Sequence, residues 1–248
     1  ADKYVMFMYD HFNIVLPQSK NVVTVPFESY KYHFPHACKR GNSVYTDIIK
    51  ERFKPFLEQE PITFFDPAYV GVRNRKSTTR MLYITGTTDP KTCGYDRGWL
   101  SFGKRWNSFI TNLRKQFGSI VYIRTWQSQK NGYPHFHALL YFKDRKFTVV
   151  PWVHKNGKIS YRLPSRLKCR SAIKKAWRWG GLDILCVGNT HDSFTDLLKY
   201  VTRDLAGGEC DLTNTMVWYF GKQSFGISEN FAKVIWGVDI GLAEPNDV

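Results

Sequence analysis

The sequence predicts an α+β domain in which helices pack on one face of an antiparallel central β-sheet. Three observations lead there. Strand-like segments alternate with segments whose apolar residues recur every three or four positions, in the order strand, helix, strand pair, helix, strand, helix. Asn131-Gly132 stands between two strand patterns, a strong short-range hairpin signal that makes those two strands antiparallel neighbours. The 248 residues are 43% hydrophobic and 16% aromatic, enough to bury a sizeable core.

Residues 1 to about 75 differ from the rest. They hold a strand-like piece at 22–25, prolines at 17, 26, 35, 55, 61 and 67, and one predicted helix from about Asn42 to Leu57. This reads as an N-terminal extension (1–75) to a main domain (76–242), with 243–248 as a loose tail. After a basic patch, Arg73-Asn74-Arg75-Lys76 and Arg80, the β-rich run Met81 to Thr85 forms the first core strand and ends at Gly86.

Trp99, Phe102, Trp106, Phe109, Ile110, Leu113 and Phe117 make one face of a helix that Gly118 caps, while Lys104, Arg105, Arg114 and Lys115 read as its solvated face. Strands at Ile120–Gln127 and through the apolar run to Phe142 follow. Then come a basic hairpin-like segment around Asn156-Gly157 and a helix from about Ser165 to Trp179, stopped by Gly180-Gly181. A strand at Leu182–Val187 and a helix from Phe194 to about Leu205 complete the pattern.

Against 21 Asp and Glu stand 36 Lys and Arg, a formal charge of +15. Such a surface suits a polyanion, nucleic acid above all, because each cation near a phosphate releases condensed counterions. An apolar run of membrane-spanning length is absent from the sequence, so no membrane partner is expected. Five scattered cysteines, 38, 93, 169, 186 and 210, include no Cys-x-x-Cys pair and are odd in number, which fits a reducing compartment, the cytoplasm. His33, His36 and Cys38 have the closeness of zinc donors, but with Pro35 among them and no fourth donor nearby they read as a polar loop.

The chemistry concentrates in Gly132-Tyr133-Pro134-His135-Phe136-His137. On a strand, His135 and His137 point to one face and Phe136 to the other. Gln127, eight residues before His135, can be brought beside them across the hairpin. Two imidazoles and a neutral amide make a ligand set that leaves the charge of Mg2+ or Mn2+ free to polarise a phosphate oxygen. A nucleophile is offered by the last predicted helix, where Asp196, Tyr200 and Arg203 share a face and Lys199 adjoins it. A phenol attacks phosphorus only when cations lower its pKa and offset the transition-state charge, the role open to Lys199, Arg203 and the metal.

These residues together resemble the HUH superfamily of rolling-circle replication initiators, relaxases and transposases. The resemblance covers roughly residues 80–230 and rests on a strand ending in Thr, the His-hydrophobic-His strand entered through Gly-x-Pro, and Lys199-Tyr200-x-x-Arg203. Trp177 to Gly180 and Phe225-Gly226-Ile227-Ser228 resemble the plasmid and archaeal initiators in particular. The resemblance implies a ferredoxin-like, RRM-like palm, a metal held by His135, His137 and Gln127, and Tyr200 as nucleophile.

Gln127 stands where relatives often have Glu, and Asp196 where two-tyrosine relatives have a first tyrosine, so the chain resembles a single-tyrosine enzyme; Tyr219 reads as packing. The implied activity is site-specific nicking and joining of single-stranded DNA at a replication origin, presented as a hairpin or unwound, through a 5'-phosphotyrosine link. The same site would serve a transposase or relaxase. From other classes, a non-catalytic single-strand-binding module and a nuclease using metal-bound water stay open, as does the oligomeric state.

Overall fold

The computed structural model describes residues 43–202, 212–223 and 225–238. Five strands form the central antiparallel sheet: β2 (Met81–Thr87), β3 (Ile120–Ser128), β4 (Pro134–Phe142), β8 (Leu182–Cys186) and β9 (Phe225–Ile227), in the order β8-β2-β4-β3-β9. Short strands β1 (Thr78–Thr79) and β5 (Phe147–Thr148) pair with each other, as do β6 (Val150–Val153) and β7 (Ile159–Arg162). The helices are α1 (Ser43–Leu57), α2 (Tyr95–Phe117), α3 (Lys168–Ala176), α4 (Thr190–Thr202), α5 (Leu212–Tyr219) and α6 (Phe231–Trp236). The fold class is α+β, as the alternation of apolar patterns predicts.

Period-two alternation decides what each face of the sheet meets. The even-numbered residues Leu82, Ile84, Ile120, Trp126, Phe136, Ala138, Leu140 and Phe142 join Trp99, Phe102, Trp106, Phe109 and Leu113 of α2 and Ile173 of α3 in one core. Phe136 is its centre, fully buried, with ring centroids 5.0 Å from those of both Trp106 and Trp177. The odd-numbered residues Met81, Val121, Ile123 and Leu139 meet Ile49, Phe53 and Phe56 of α1, Phe194 and Leu197 of α4, and Phe231 and Ile235 of α6. Further along the same odd-numbered face the residues turn polar: Thr85, Thr125, Gln127, His135 and His137.

Several boundaries move for identifiable reasons. Helix α2 starts at Tyr95, four residues before the first apolar anchor, with Gly94 as its cap and Asp96 in its first turn. Gly118 ends it as predicted, with φ +86° and its N–H donated to the Arg114 carbonyl at 3.0 Å. Arg105, predicted on the solvated face, is buried: it donates to Cys93 Sγ at 3.1 Å and its guanidinium sits 5.7 Å from the centroid of Trp179. Helix α3 is shorter than predicted at both ends. Pro164 starts a turn rather than the helix, and Trp177 leaves it to bury its indole and donate Nε1–H to the Thr87 carbonyl at 3.0 Å. Helix α4 begins at Thr190, before the predicted Phe194, because Asn189 receives the Asp192 N–H at 2.9 Å. Tyr219, predicted to pack, is 67% exposed, with its ring against Phe220.

Cys93, Cys169 and Cys186 carry free thiols, and burial pushes Cys186 up to about 12. Cys38 and Cys210, the His33, His36 and Cys38 cluster, and the tail at 243–248 lie outside the described residues. Among the described residues no helix is long and apolar enough to cross a membrane.

Candidate metal and nucleic-acid site

The β3–β4 hairpin closes through residues 129–133. Gly132 there takes φ +84°, a value that favours glycine, and donates to the Gln129 carbonyl at 2.9 Å. The turn is longer than two residues, yet its register places Gln127 directly opposite His135, as the spacing predicts. His137 has Thr125 opposite on β3 and Thr85 opposite on β2. The central position of β4 therefore collects polar side chains from both neighbouring strands on one face.

The rings of His135 and His137 lie 5.0 Å apart at 78°. His137 Nε2 faces Gln127 Oε1 at 3.1 Å, and its Nδ1 faces Thr85 Oγ1 at 3.0 Å. Both His137 and Gln127 are buried, and Tyr83 packs its ring 6.0 Å from that of His137. With its proton on Nε2 the ring donates to Gln127 and accepts from the Thr85 hydroxyl; with its proton on Nδ1 it donates to Thr85, and the Nε2 lone pair stands beside the Gln127 oxygen, the form in which both can ligate a cation. Two ligands at about 2.1 Å on adjacent octahedral positions stand about 3.0 Å apart, close to the observed separation.

His135 completes the set. Its Nδ1 is buried with no hydrogen-bond partner among the described residues, and burial lowers its pKa to about 4, so the ring is neutral at pH 7, the form that ligates metals. These residues fit a divalent cation. Among the described residues no group of three His, Cys, Asp or Glu is placed to hold a metal ion; the third donor beside the histidines is an amide.

A pH dependence follows. Because the folded pKa of His135 lies below the ordinary value of 6.5, the unfolded chain binds the extra proton between about pH 6.5 and 4. Stability of the metal-free protein is expected to fall as the pH drops through that window. The contribution of His135 is flat above about pH 7. Denaturant midpoints across this range, compared with His135→Asn, check it: the variant should show the shallower pH dependence.

Two structures around the pair were not legible from motif spacing. One is the loop at 179–181, which clamps the end of β2. Thr87 N donates to the Gly181 carbonyl at 2.9 Å and Asp89 N to the Trp179 carbonyl at 2.9 Å. A Cβ on Gly180 would lie 2.0 Å from the Thr87 oxygen. The other is the fastening of α4 beside the sheet. Ile62 N donates to Thr190 Oγ1 at 3.0 Å, Thr190 N to the Ile62 carbonyl at 3.1 Å, and Phe64 N to the Gly188 carbonyl at 2.7 Å. A cleft of 650 Å³ opens there, lined by Tyr83, Tyr161, Lys158, Asn189, Asp192 and Asp196 among others. The only advance signal for Thr85 was its place at the end of a strand, and for Thr125 its parity with the histidines.

Positions 199 and 200 fall on α4, the helix whose Phe194 and Leu197 pack on the odd-numbered face of the sheet. The side chains of Lys199 and Tyr200, and the whole of Arg203, lie outside the described residues. The structure thus brings His135, His137 and Gln127 together and sets the helix bearing residue 200 on their side of the sheet. Compared with models of known protein families and with curated proteins, the sequence matches neither a family model nor a curated relative.

Proposed function

We propose that this chain is a metal-dependent, site-specific endonuclease and strand transferase of the HUH type. It would act on single-stranded DNA at a replication origin, in a reducing cytoplasm, to start rolling-circle replication. The observation that carries the reading is the placement of His135, His137 and Gln127 side by side on the sheet face against which α4 packs, with His137 Nε2 3.1 Å from Gln127 Oε1. The formal charge of +15 supports the choice of a polyanionic substrate.

In this reading His135, His137 and Gln127 hold Mn2+ or Mg2+, which when bound supplies Lewis-acid polarisation of the scissile phosphate. Thr85 would accept the Nδ1 proton of His137 in a hydrogen bond, the tautomer that leaves Nε2 for the ligand. The Tyr200 phenolate attacks phosphorus: the phenol O–P bond forms, the P–O3' bond breaks, and the leaving 3'-oxygen takes up a proton. The 5'-phosphate stays on Tyr200 and the freed 3'-hydroxyl primes synthesis. Lys199 and Arg203 offset the charge on the pentacovalent phosphorus and hold the phenol pKa down. Rejoining is the reverse reaction. With Asp196 where a second tyrosine would stand, a second transesterification draws on another protomer, water or a DNA 3'-hydroxyl.

The test is incubation with a library of single-stranded oligonucleotides, with Mn2+ or with chelator. A protein-DNA adduct that resists denaturation, forms only with the metal and leaves a free 3'-hydroxyl is the expected result. Cleavage with no adduct would point instead to hydrolysis by water.

A further inference from the structure

Between Asp144 and Asp183 the chain carries eleven Lys and Arg and no Asp or Glu. This stretch holds the β6–β7 hairpin, whose tip is built as a stiff turn. Gly157 takes φ +79°, His154 N donates to the Lys158 carbonyl at 2.8 Å, and His154 Nε2 lies 2.9 Å from Ser160 Oγ. On this hairpin Trp152, Val153 and Ile159 are 54%, 65% and 51% exposed, with Lys155 and Lys158 exposed beside them. Its base is anchored to the sheet by the Arg162–Asp183 ion pair. Lys158 and Tyr161 line the cleft that also contains Tyr83, the ring packed against His137.

An exposed indole among cations, with no acid in the stretch, is a poor surface for water and a good one for an unpaired base and its phosphates. The cleft runs from Lys158 and Tyr161 of the hairpin to Tyr83, whose ring packs on His137, with Asp192 and Asp196 of α4 also in its lining. We propose that the β6–β7 hairpin is a gripping arm for single-stranded DNA: Trp152 stacks on an unpaired base, Lys155 and Lys158 take the adjoining phosphates, and the strand continues through the Tyr161–Tyr83 cleft toward His137. The inference rests on the proposed DNA substrate and assigns it a contact separate from the metal ligands.

The test is fluorescence anisotropy with the full chain, without metal so that nothing is cleaved, using a labelled thymidine oligonucleotide of about 20 nucleotides and a duplex of the same length. Stacking on aromatic residues contributes about 1–3 kcal/mol per base, so Trp152→Ala should weaken single-strand binding by roughly 5- to 150-fold. Trp152→Phe should recover most of it, and duplex binding should change less than about 2-fold. Lys155→Ala with Lys158→Ala should flatten the salt dependence by about 1.4 in log-log slope.

Unchanged single-strand affinity in Trp152→Ala would overturn the arm. Equal losses for duplex and single strand would also overturn it, in favour of a duplex-binding surface. If the parent forms no adduct yet Trp152→Ala loses single-strand binding, the nuclease reading fails and the arm stands.

Discussion

Protein carrying His135→Ala and His137→Ala is expected to lose metal-dependent nicking by about 10³-fold or more while keeping its fold. The magnitude follows from the several kcal/mol of charge stabilisation a Lewis-acid ion contributes at a phosphate, with 1.36 kcal/mol for each factor of ten. The fold should survive because both imidazoles lie on the polar part of the odd-numbered face. The aromatic core around Phe136 lies on the other face and keeps every member. Far-UV circular dichroism and titration calorimetry with Mn2+ check the two halves: native secondary structure, and no bound cation. Thr85→Val, which removes only the hydroxyl orienting His137, should cost about 10- to 100-fold in metal affinity. Nicking within about threefold of the parent in the double variant would remove the histidines from the chemistry.

The second large effect is on stability. Phe136→Ala should cost about 3–5 kcal/mol in denaturant unfolding, because the ring is fully buried among Phe102, Trp106, Phe109, Trp126 and Trp177 and the cavity left behind has rigid walls. Gly86 faces the same ring from β2: a Cβ there would lie 2.2 Å from Phe136 Cε1. Gly86→Ala should therefore cost about 1–3 kcal/mol alone, and close to nothing in the Phe136→Ala background, where the space is free. Additive costs in the double variant would show that the glycine is required for a reason other than this contact. Because Phe136 stands between the two histidines on β4, its loss should also loosen the proposed metal site.

The alternation that makes Phe136 a core residue is the part of the site most legible in the sequence. His-Phe-His followed by an apolar run fixes the parity of β4, and Asn131-Gly132 fixes its neighbour. The meeting of Gln127 with His135 follows from those two facts. What the sequence hides is lateral. Thr85 reaches His137 only because β2 lies on the far side of β4, a non-adjacent pairing that no local pattern encodes. Arg105 reads as solvated because helical periodicity places it off the apolar stripe; Cys93, in the loop just before the helix, and Trp179, distant in sequence, bury it. Helix α3 stops early because Trp177 gains a buried position and a bond to Thr87, a tertiary reward that outweighs helix propensity. Capping by Asn189 likewise moves the start of α4 ahead of its apolar face.

In the proposed mechanism the histidines position the phosphate and Tyr200 attacks it. Proteolysis and mass spectrometry of the adduct formed with Mn2+ and an origin-type single strand separate the two roles. The expected result is a 5'-phosphonucleotide on the peptide containing Tyr200, absent in Tyr200→Phe, whose oligonucleotide binding stays near that of the parent. An adduct on another residue, or one that forms in Tyr200→Phe at the parent rate, would contradict it.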